Sequence, residues 1–442
     1  MSWTEMLPEP LCSLPPDQAA NVVCMVAAYP LALVAEPLAS SVAKATGAGM
    51  AKARMGVGSG IGLAFCLLAL GVRGMAALFT PLAGAWLLLT TLPKAYVHLG
   101  VLVFMLTALS CAHAWRMYTD PYGWTLDFTG PLMIATVKVT SMAFSVADGV
   151  NKPWAVLDSD GHKIGRGYAA VLRSWQALAL DAPPTLEEYI SFLLYFPVVL
   201  AGPVVDMRAY LQLVRCGPQA SLAARSWEAV KRLGLAIGCY GVFVLLSEHF
   251  PQSLYFDPAF IGEHSLGYRA LYMYLAQTGL RFRYYFAFAL AEGACRGAGL
   301  VAVTNVDIVA IETAQNFKVA VENWNIGVAR WLKLYVYHRV APGSSFINVL
   351  ATNVAGAIWH GFYPGYYLAF LLGSFCTQFS RLVRRKLRPH ALAAGTWVKA
   401  GYDTVGWAGS ALILGYGSVP RLTYGAHCTT ASLGSSSRAW SC

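Results

Sequence analysis

Ala357-Ile358-Trp359-His360-Gly361-Phe362-Tyr363-Pro364-Gly365-Tyr366-Tyr367 lies inside the run from Val340 to Ser380, which holds no Asp, Glu, Lys or Arg and has His360 as its only imidazole. About 20 apolar residues cross a bilayer's hydrocarbon, so a run this long exceeds one crossing. The Gly-Phe-Tyr-Pro-Gly interruption predicts two helices joined between Gly361 and Gly365, with His360 ending the first. A titratable group at the rim of an apolar span costs several kcal/mol, roughly, when it is buried without a partner. That cost makes His360 the first candidate for a functional residue.

The rest of the chain has the same character. Hydrophobic residues make up 57% of the 442 and charged residues only 12%, and the mean hydropathy is +0.51. These values exclude an ordinary soluble domain and predict a polytopic, all-α membrane protein. The net charge of +10 would suggest nucleic acid in a soluble protein. Here the Lys and Arg fall between apolar spans, so they read as loop anchors and as attraction for anionic lipid or substrate, with no nucleic-acid partner. The ten cysteines are scattered without zinc spacing, and neither a metal site nor a disulfide framework is expected.

Charge-poor windows place the spans at 21–40, 55–72, 74–93, 95–115, 124–147, 189–205 and 233–246, then two around His360 and one at 404–420. With the ambiguous segment 284–300, this gives roughly ten or eleven membrane helices. Residues 1–20 form a polar N-terminal segment lacking the basic start of a secretory signal, so the first span is expected to stay as an anchor. Residues 21–422 form one multi-span domain, and the Ser- and Thr-rich tail 423–442 reads as disordered. Acidic residues precede the first span and Lys44, Lys52 and Arg54 follow it, which predicts a cytosolic first loop. The block Arg381, Arg384, Arg385, Lys386 and Arg388 is expected on the same side. Asp120-Pro121-Tyr122-Gly123 is a turn by composition.

Two polar residues interrupt the pattern at informative places. Lys138, inside an apolar window, must snorkel, pair with an acid or line a wet cavity. Asn325 opens a helical pattern in which Trp324, Val328, Trp331, Leu332 and Tyr335 recur, and Asn323 or Asn325 would serve as its N-cap. An amide at Asn325 could equally orient a base or donate to developing negative charge. On the helix ending at His360, one face carries Asn353, Gly356, Ala357 and His360. A small face of this kind suits either helix packing or a narrow channel with an imidazole at its end. An imidazole with a pKa near 6.5 can take a proton from an alcohol or thiol and return it.

Trp359-His360-Gly361 with Gly365-Tyr366 and Phe370 resembles the signature of the membrane-bound O-acyltransferases. Trp324-Asn325 with Trp331-Leu332 and Tyr337 resembles the segment that family carries upstream. Leu126 to Pro131, Asp148-Gly149, Phe196 to Pro203, and Tyr284-Tyr285 with Glu292-Gly293-Ala294 resemble its lysophospholipid acyltransferase branch. The resemblance runs from about residue 90 to 420. It implies that His360 is the catalytic histidine and Asn325 its partner, and that acyl-CoA is a co-substrate, with no bound cofactor or metal. The expected acceptor is a lysophospholipid at the endoplasmic reticulum membrane. Trp324, Asn353, Trp359, Gly361, Tyr366, Tyr285 and Glu292 are expected to contact the substrates. A sterol, a diacylglycerol or a protein is the alternative acceptor. A lipid or proton-coupled transporter using His360, Lys138 and Glu292 as a relay is the alternative of a different class.

Overall fold

The structure, a computed structural model, describes residues 15–416 apart from 122, 124, 160–165 and 341–344. The terminal segments expected to be polar or disordered therefore lie largely or wholly outside the described residues. Within them the fold is all-α, with short 3-10 turns and no strand.

Five of the described helices have the length and composition to cross a membrane: Pro16–Thr46, Met50–Thr91, Val97–Thr119, Thr129–Asn151 and Leu222–His249. The first begins on Pro16 with Asp17 in its first turn, and it ends with Lys44 before Gly47 at φ 70°. Both ends thus complement the helix dipole, and a left-handed glycine stops the chain. The two spans expected at 55–72 and 74–93 form one run, Met50–Thr91, that leaves helical geometry at Gly71 (φ 63°, ψ −179°). A straight helix of that length would measure about 63 Å, roughly twice the hydrocarbon thickness. The kink resolves the excess.

By contact the chain forms two compact units made of interleaved segments. One comprises Met1–Ile237, Phe286–Val306 and Asn325–Arg339, and the other Gly238–Tyr285, Asp307–Trp324 and Val340–Cys442. In the first unit the central helix is Thr129–Asn151. Its apolar window is 83% buried, against 17–33% for the other four spans, which identifies it as the interior element. Arg339 reaches back to it, with Nη2 2.6 Å from Asp148 Oδ2 and its guanidinium 3.7 Å from the centre of the Trp175 ring. Trp175 belongs to the amphipathic helix Arg166–Leu178, which occupies much of the long polar connection and buries Val171, Leu172 and Trp175.

Two expectations are corrected here. The window 189–205 is not one span. Helix Leu186–Leu193 ends at Leu194, a 3-10 turn covers Phe196–Val198, and the backbone is irregular as far as Asp206. Pro197 and Pro203 lack amide hydrogens and cannot donate to a continuing helical ladder, and Gly202, before Pro203, stands at φ 156°. The irregular backbone is tolerated because residues 191–200 are all buried in protein. Lys138 neither snorkels nor finds an acid. It is 2% exposed, donates to the Phe192 carbonyl at 2.6 Å and lies 4.2 Å from the centre of the Phe192 ring. The carbonyls released where the expected helix breaks are thus met by side chains, Lys138 at Phe192 and the Cys295 thiol at Pro197.

The turn at Asp120 closes with the Gly123 amide on the Asp120 carbonyl at 3.1 Å. The ambiguous segment around residue 290 belongs to a long helix, Leu266–Gly297, in which Arg281, Glu292 and Arg296 are paired. In the second unit Arg281 meets Glu312, and in the first Glu292 meets Arg296 and Arg232.

Candidate active site

His360 is the last residue of helix Ser345–His360, and the next helix, Pro364–Lys386, starts on a proline. The join is Gly361 at φ 115°, a conformation costly for any residue with a β-carbon. Its amide is shared between the Ala357 and Ile358 carbonyls at 3.0 and 3.1 Å. Gly361 therefore ends the helix at the imidazole. The His360 ring stacks on Tyr366 at 5.3 Å and 25°, tilts against Phe370 at 5.4 Å, and meets Trp359 edge-on at 4.6 Å. Trp359 is buried and His360 is half-buried, so three aromatic rings orient an imidazole that is not sealed off.

The small face of that helix is a packing face at Gly356, where a β-carbon would sit 2.8 Å from the Phe370 ring. Phe370 thus touches both Gly356 and His360. Asn353, two helical turns before His360, donates its amide to the Val349 carbonyl at 2.8 Å, a bond within its own helix.

Tyr285 and Trp324 form a second cluster in the same unit. Their rings lie 5.6 Å apart, and Tyr284 meets Trp324 edge-on at 5.7 Å. Tyr285 is fully buried and its hydroxyl donates to Glu312 Oε1 at 2.8 Å. Arg281 holds the same carboxylate through Nε and Nη2, each at 2.9 Å. The paired geometry of a guanidinium on a carboxylate makes this the strong form of the interaction.

Asn325 belongs to the other unit. It stands at the N-cap position of helix Ile326–Leu332, but in left-handed geometry (φ 45°, ψ 57°), and its side chain makes no capping bond. Among the described residues only Lys152 shares positive φ without being glycine. The capping bonds come from Asn305 instead. Its carbonyl accepts from the Ile326 amide at 2.8 Å and its side-chain oxygen from the Gly327 amide at 3.2 Å. Gly327 permits Val204 to lie where a β-carbon would be 2.9 Å from Val204 Cβ. Farther along, Trp331 donates to Thr140 at 3.0 Å, Arg330 pairs with Asp206, and a π-helical turn spans Lys333–Tyr337. Glu292, also in this unit, is wholly buried, and one of its oxygens takes two bonds from Arg296 and lies 3.2 Å from Arg232.

The sequence profile of the membrane-bound O-acyltransferases matches residues 101–419, which takes in Asn325, His360 and every other candidate contact residue. The chain belongs to the membrane-bound O-acyltransferase family. It is 29% identical to human "Membrane-bound glycerophospholipid O-acyltransferase 1", across 93% of this chain and 84% of that protein. It is 30% identical to Drosophila melanogaster "Lysophospholipid acyltransferase 6", across 81% and 51%, and 32% identical to rat "Membrane-bound glycerophospholipid O-acyltransferase 2", across 73% and 64%. The chain thus spans most of the human relative's length, and between about half and two thirds of the other two. A multi-pass membrane architecture follows from the family and from the apolar helices together.

In this member of the membrane-bound O-acyltransferases the structure gathers Trp359, His360, Gly361 and Tyr366 at one helix end, and Tyr285 with Trp324 at a second point. Sequence reasoning missed Glu312 and Asn305. Each is a polar residue in a largely apolar segment, the same signal that singled out His360. Neither belongs to a recognisable motif.

Proposed function

We propose that this chain transfers a fatty acyl group from acyl-CoA to the free glycerol hydroxyl of a lysophospholipid, in the endoplasmic reticulum membrane. The observation that carries the reading is His360, half-buried among three aromatic rings at a helix end that Gly361 terminates. The relatives, a glycerophospholipid O-acyltransferase and a lysophospholipid acyltransferase by name, support the choice of acceptor.

A lysophospholipid hydroxyl is too weakly acidic to attack a thioester unaided. His360 acts as general base and removes the hydroxyl proton as the oxygen bonds to the thioester carbonyl carbon. The resulting tetrahedral oxyanion needs a donor, the role we assign to the Asn325 amide. Collapse re-forms the carbonyl, breaks the carbon–sulfur bond and expels the CoA thiolate. The imidazolium then returns its proton to that sulfur. No acyl-enzyme intermediate is required.

The test uses membranes containing the wild-type chain or His360→Ala, labelled oleoyl-CoA and a panel of lysophospholipids. Labelled phospholipid from wild type, reduced about 10²- to 10⁴-fold in the variant, is the expected result. Sterol ester or triacylglycerol forming while lysolipids stay unlabelled would overturn the acceptor assignment. Equal transfer by His360→Ala at matched expression would overturn the mechanism.

A further inference from the structure

Asn305 is 1% exposed and lies outside every motif that led to the acyltransferase reading. Its two bonds, to the Ile326 and Gly327 amides, satisfy the first orphan donors of helix Ile326–Leu332. An N-cap residue normally does this itself from the extended region, with its own side chain folded back on the N2 or N3 amide. Asn325 has the residue type for that task and the position, yet adopts left-handed geometry. Asn is among the few residues that tolerate this conformation, and the Asn325 carbonyl still accepts the first intrahelical bond from Ala329 at 3.0 Å. The cap has been moved to a different residue, and the amide that would have supplied it is released.

We propose that Asn305 is a positioning residue for the acyl transfer: by capping the helix in place of Asn325, it holds Asn325 left-handed and leaves the Asn325 amide free for the reacting groups. This rests on the function proposed above. Residues kept in sparsely populated backbone regions persist where their surroundings over-determine them. Asn305 supplies that constraint here, with Val204 packed on Gly327 from another side.

The experiment compares wild type, Asn305→Ala, Asn305→Asp, Asn325→Ala and the Asn305→Ala/Asn325→Ala double variant, each purified in nanodiscs. Transfer from oleoyl-CoA is measured to the acceptor that wild type uses best. Asn305→Ala is expected to lower kcat about 10- to 100-fold with KM for oleoyl-CoA within 2-fold of wild type, about 1.4 to 2.7 kcal/mol when converted. Asn305→Asp, which keeps an acceptor for the Gly327 amide, recovers most of the loss. In the Asn325→Ala background, removing Asn305 costs less than 2-fold more, because the group it positions is gone. A purely structural Asn305 would give the same proportional loss in both backgrounds, and that result overturns the proposal.

Hydrogen exchange of the wild-type protein supplies a readout independent of activity. Slow exchange at Ile326 and Gly327, lost at Gly327 in Asn305→Ala, is expected. Fast exchange at Gly327 in wild type would show that the cap does not exist. Absence of acyl transfer by wild type to any acceptor, with those amides protected, would remove the function and the positioning role while leaving the cap intact.

Discussion

Arg339, half-buried, is bound to the buried Asp148 across 191 residues of sequence, at 2.6 Å, within one unit. Its guanidinium also lies over Trp175 and, at 5.2 Å, over Phe144. A lysine could supply the charge but not the flat stacking surface. Arg339→Lys should therefore destabilise the detergent-solubilised protein by on the order of 2 kcal/mol, read as a lower thermal midpoint. A midpoint equal to wild type would show that the stacking contributes nothing.

Asn325→Gly and Asn325→Ala separate conformation from chemistry. Glycine enters the left-handed region freely, whereas alanine pays about 1–2 kcal/mol there. Asn325→Gly should unfold at or above the wild-type temperature and Asn325→Ala below it, while both lose acyl transfer to a similar extent. Retained activity in Asn325→Gly would mean that the amide has no chemical role.

Gly361→Ala places a β-carbon at φ 115° directly after His360. Roughly 1–3 kcal/mol of strain is expected, together with a fall in kcat, since the helix end that presents the imidazole must shift. Thermal melting and steady-state kinetics on the same preparation would check both. An unchanged kcat despite a lowered melting point would uncouple the turn from the imidazole.

Glu188 offers a pH test outside the spanning helices. Burial pushes its pKa up, but the Thr185 amide at 2.9 Å and Arg215 at 2.7 Å outweigh that and hold it below the ordinary value of 4.5. A carboxyl whose folded pKa is depressed adds stability that is fully present above the unfolded value and is lost as pH falls through the folded one. Melting temperatures of wild type and Glu188→Gln should differ at pH 7 and converge as pH drops below about 4.5. A gap that persists undiminished at pH 3 would exclude the ionised cap.

Glu312→Gln leaves Arg281 buried without its counter-ion. Breaking such a pair costs on the order of 3 kcal/mol, so a marked drop in thermal midpoint is expected. Arg281→Met/Glu312→Leu, which removes both charges, should recover part of it. A double variant no better than the single would argue that the Tyr285 hydroxyl, not the ion pair, is what Glu312 chiefly serves.

Hydropathy made the outline legible. Among the described residues the charge-poor windows other than 189–205 fall largely on helices, the Gly361–Gly365 interruption became a helix-to-helix join, and Asp120 made its turn. What composition could not reveal is backbone conformation inside a uniformly apolar stretch. Residues 191–200 are as buried as any helix interior, so their hydropathy matched a span, and only Pro197 and Pro203 marked the break. Lys138 was legible as an anomaly but not as a partner for the carbonyl that this break exposes. His360 and Asn325 were found because they sit in motifs. The residues that hold their neighbourhood in place, Asn305 and Glu312, act through side-chain bonds to Gly327, 22 positions away, and Arg281, 31 positions away, beyond the reach of local periodicity.

Thr140 waits 191 residues for Trp331, Asp148 the same distance for Arg339, and Trp175 waits 159 for Leu334. At about 5–20 residues per second of synthesis, that delay is on the order of 10 to 40 s. Throughout that time the early helices are already made, while the acid and the hydroxyl of Thr129–Asn151 still lack the side chains that will meet them. Any message that stops before residue 331 would therefore yield a product in which Asp148 never gains its Arg339 counter-ion and Thr140, bonded only to the Thr136 carbonyl of its own helix, never receives Trp331.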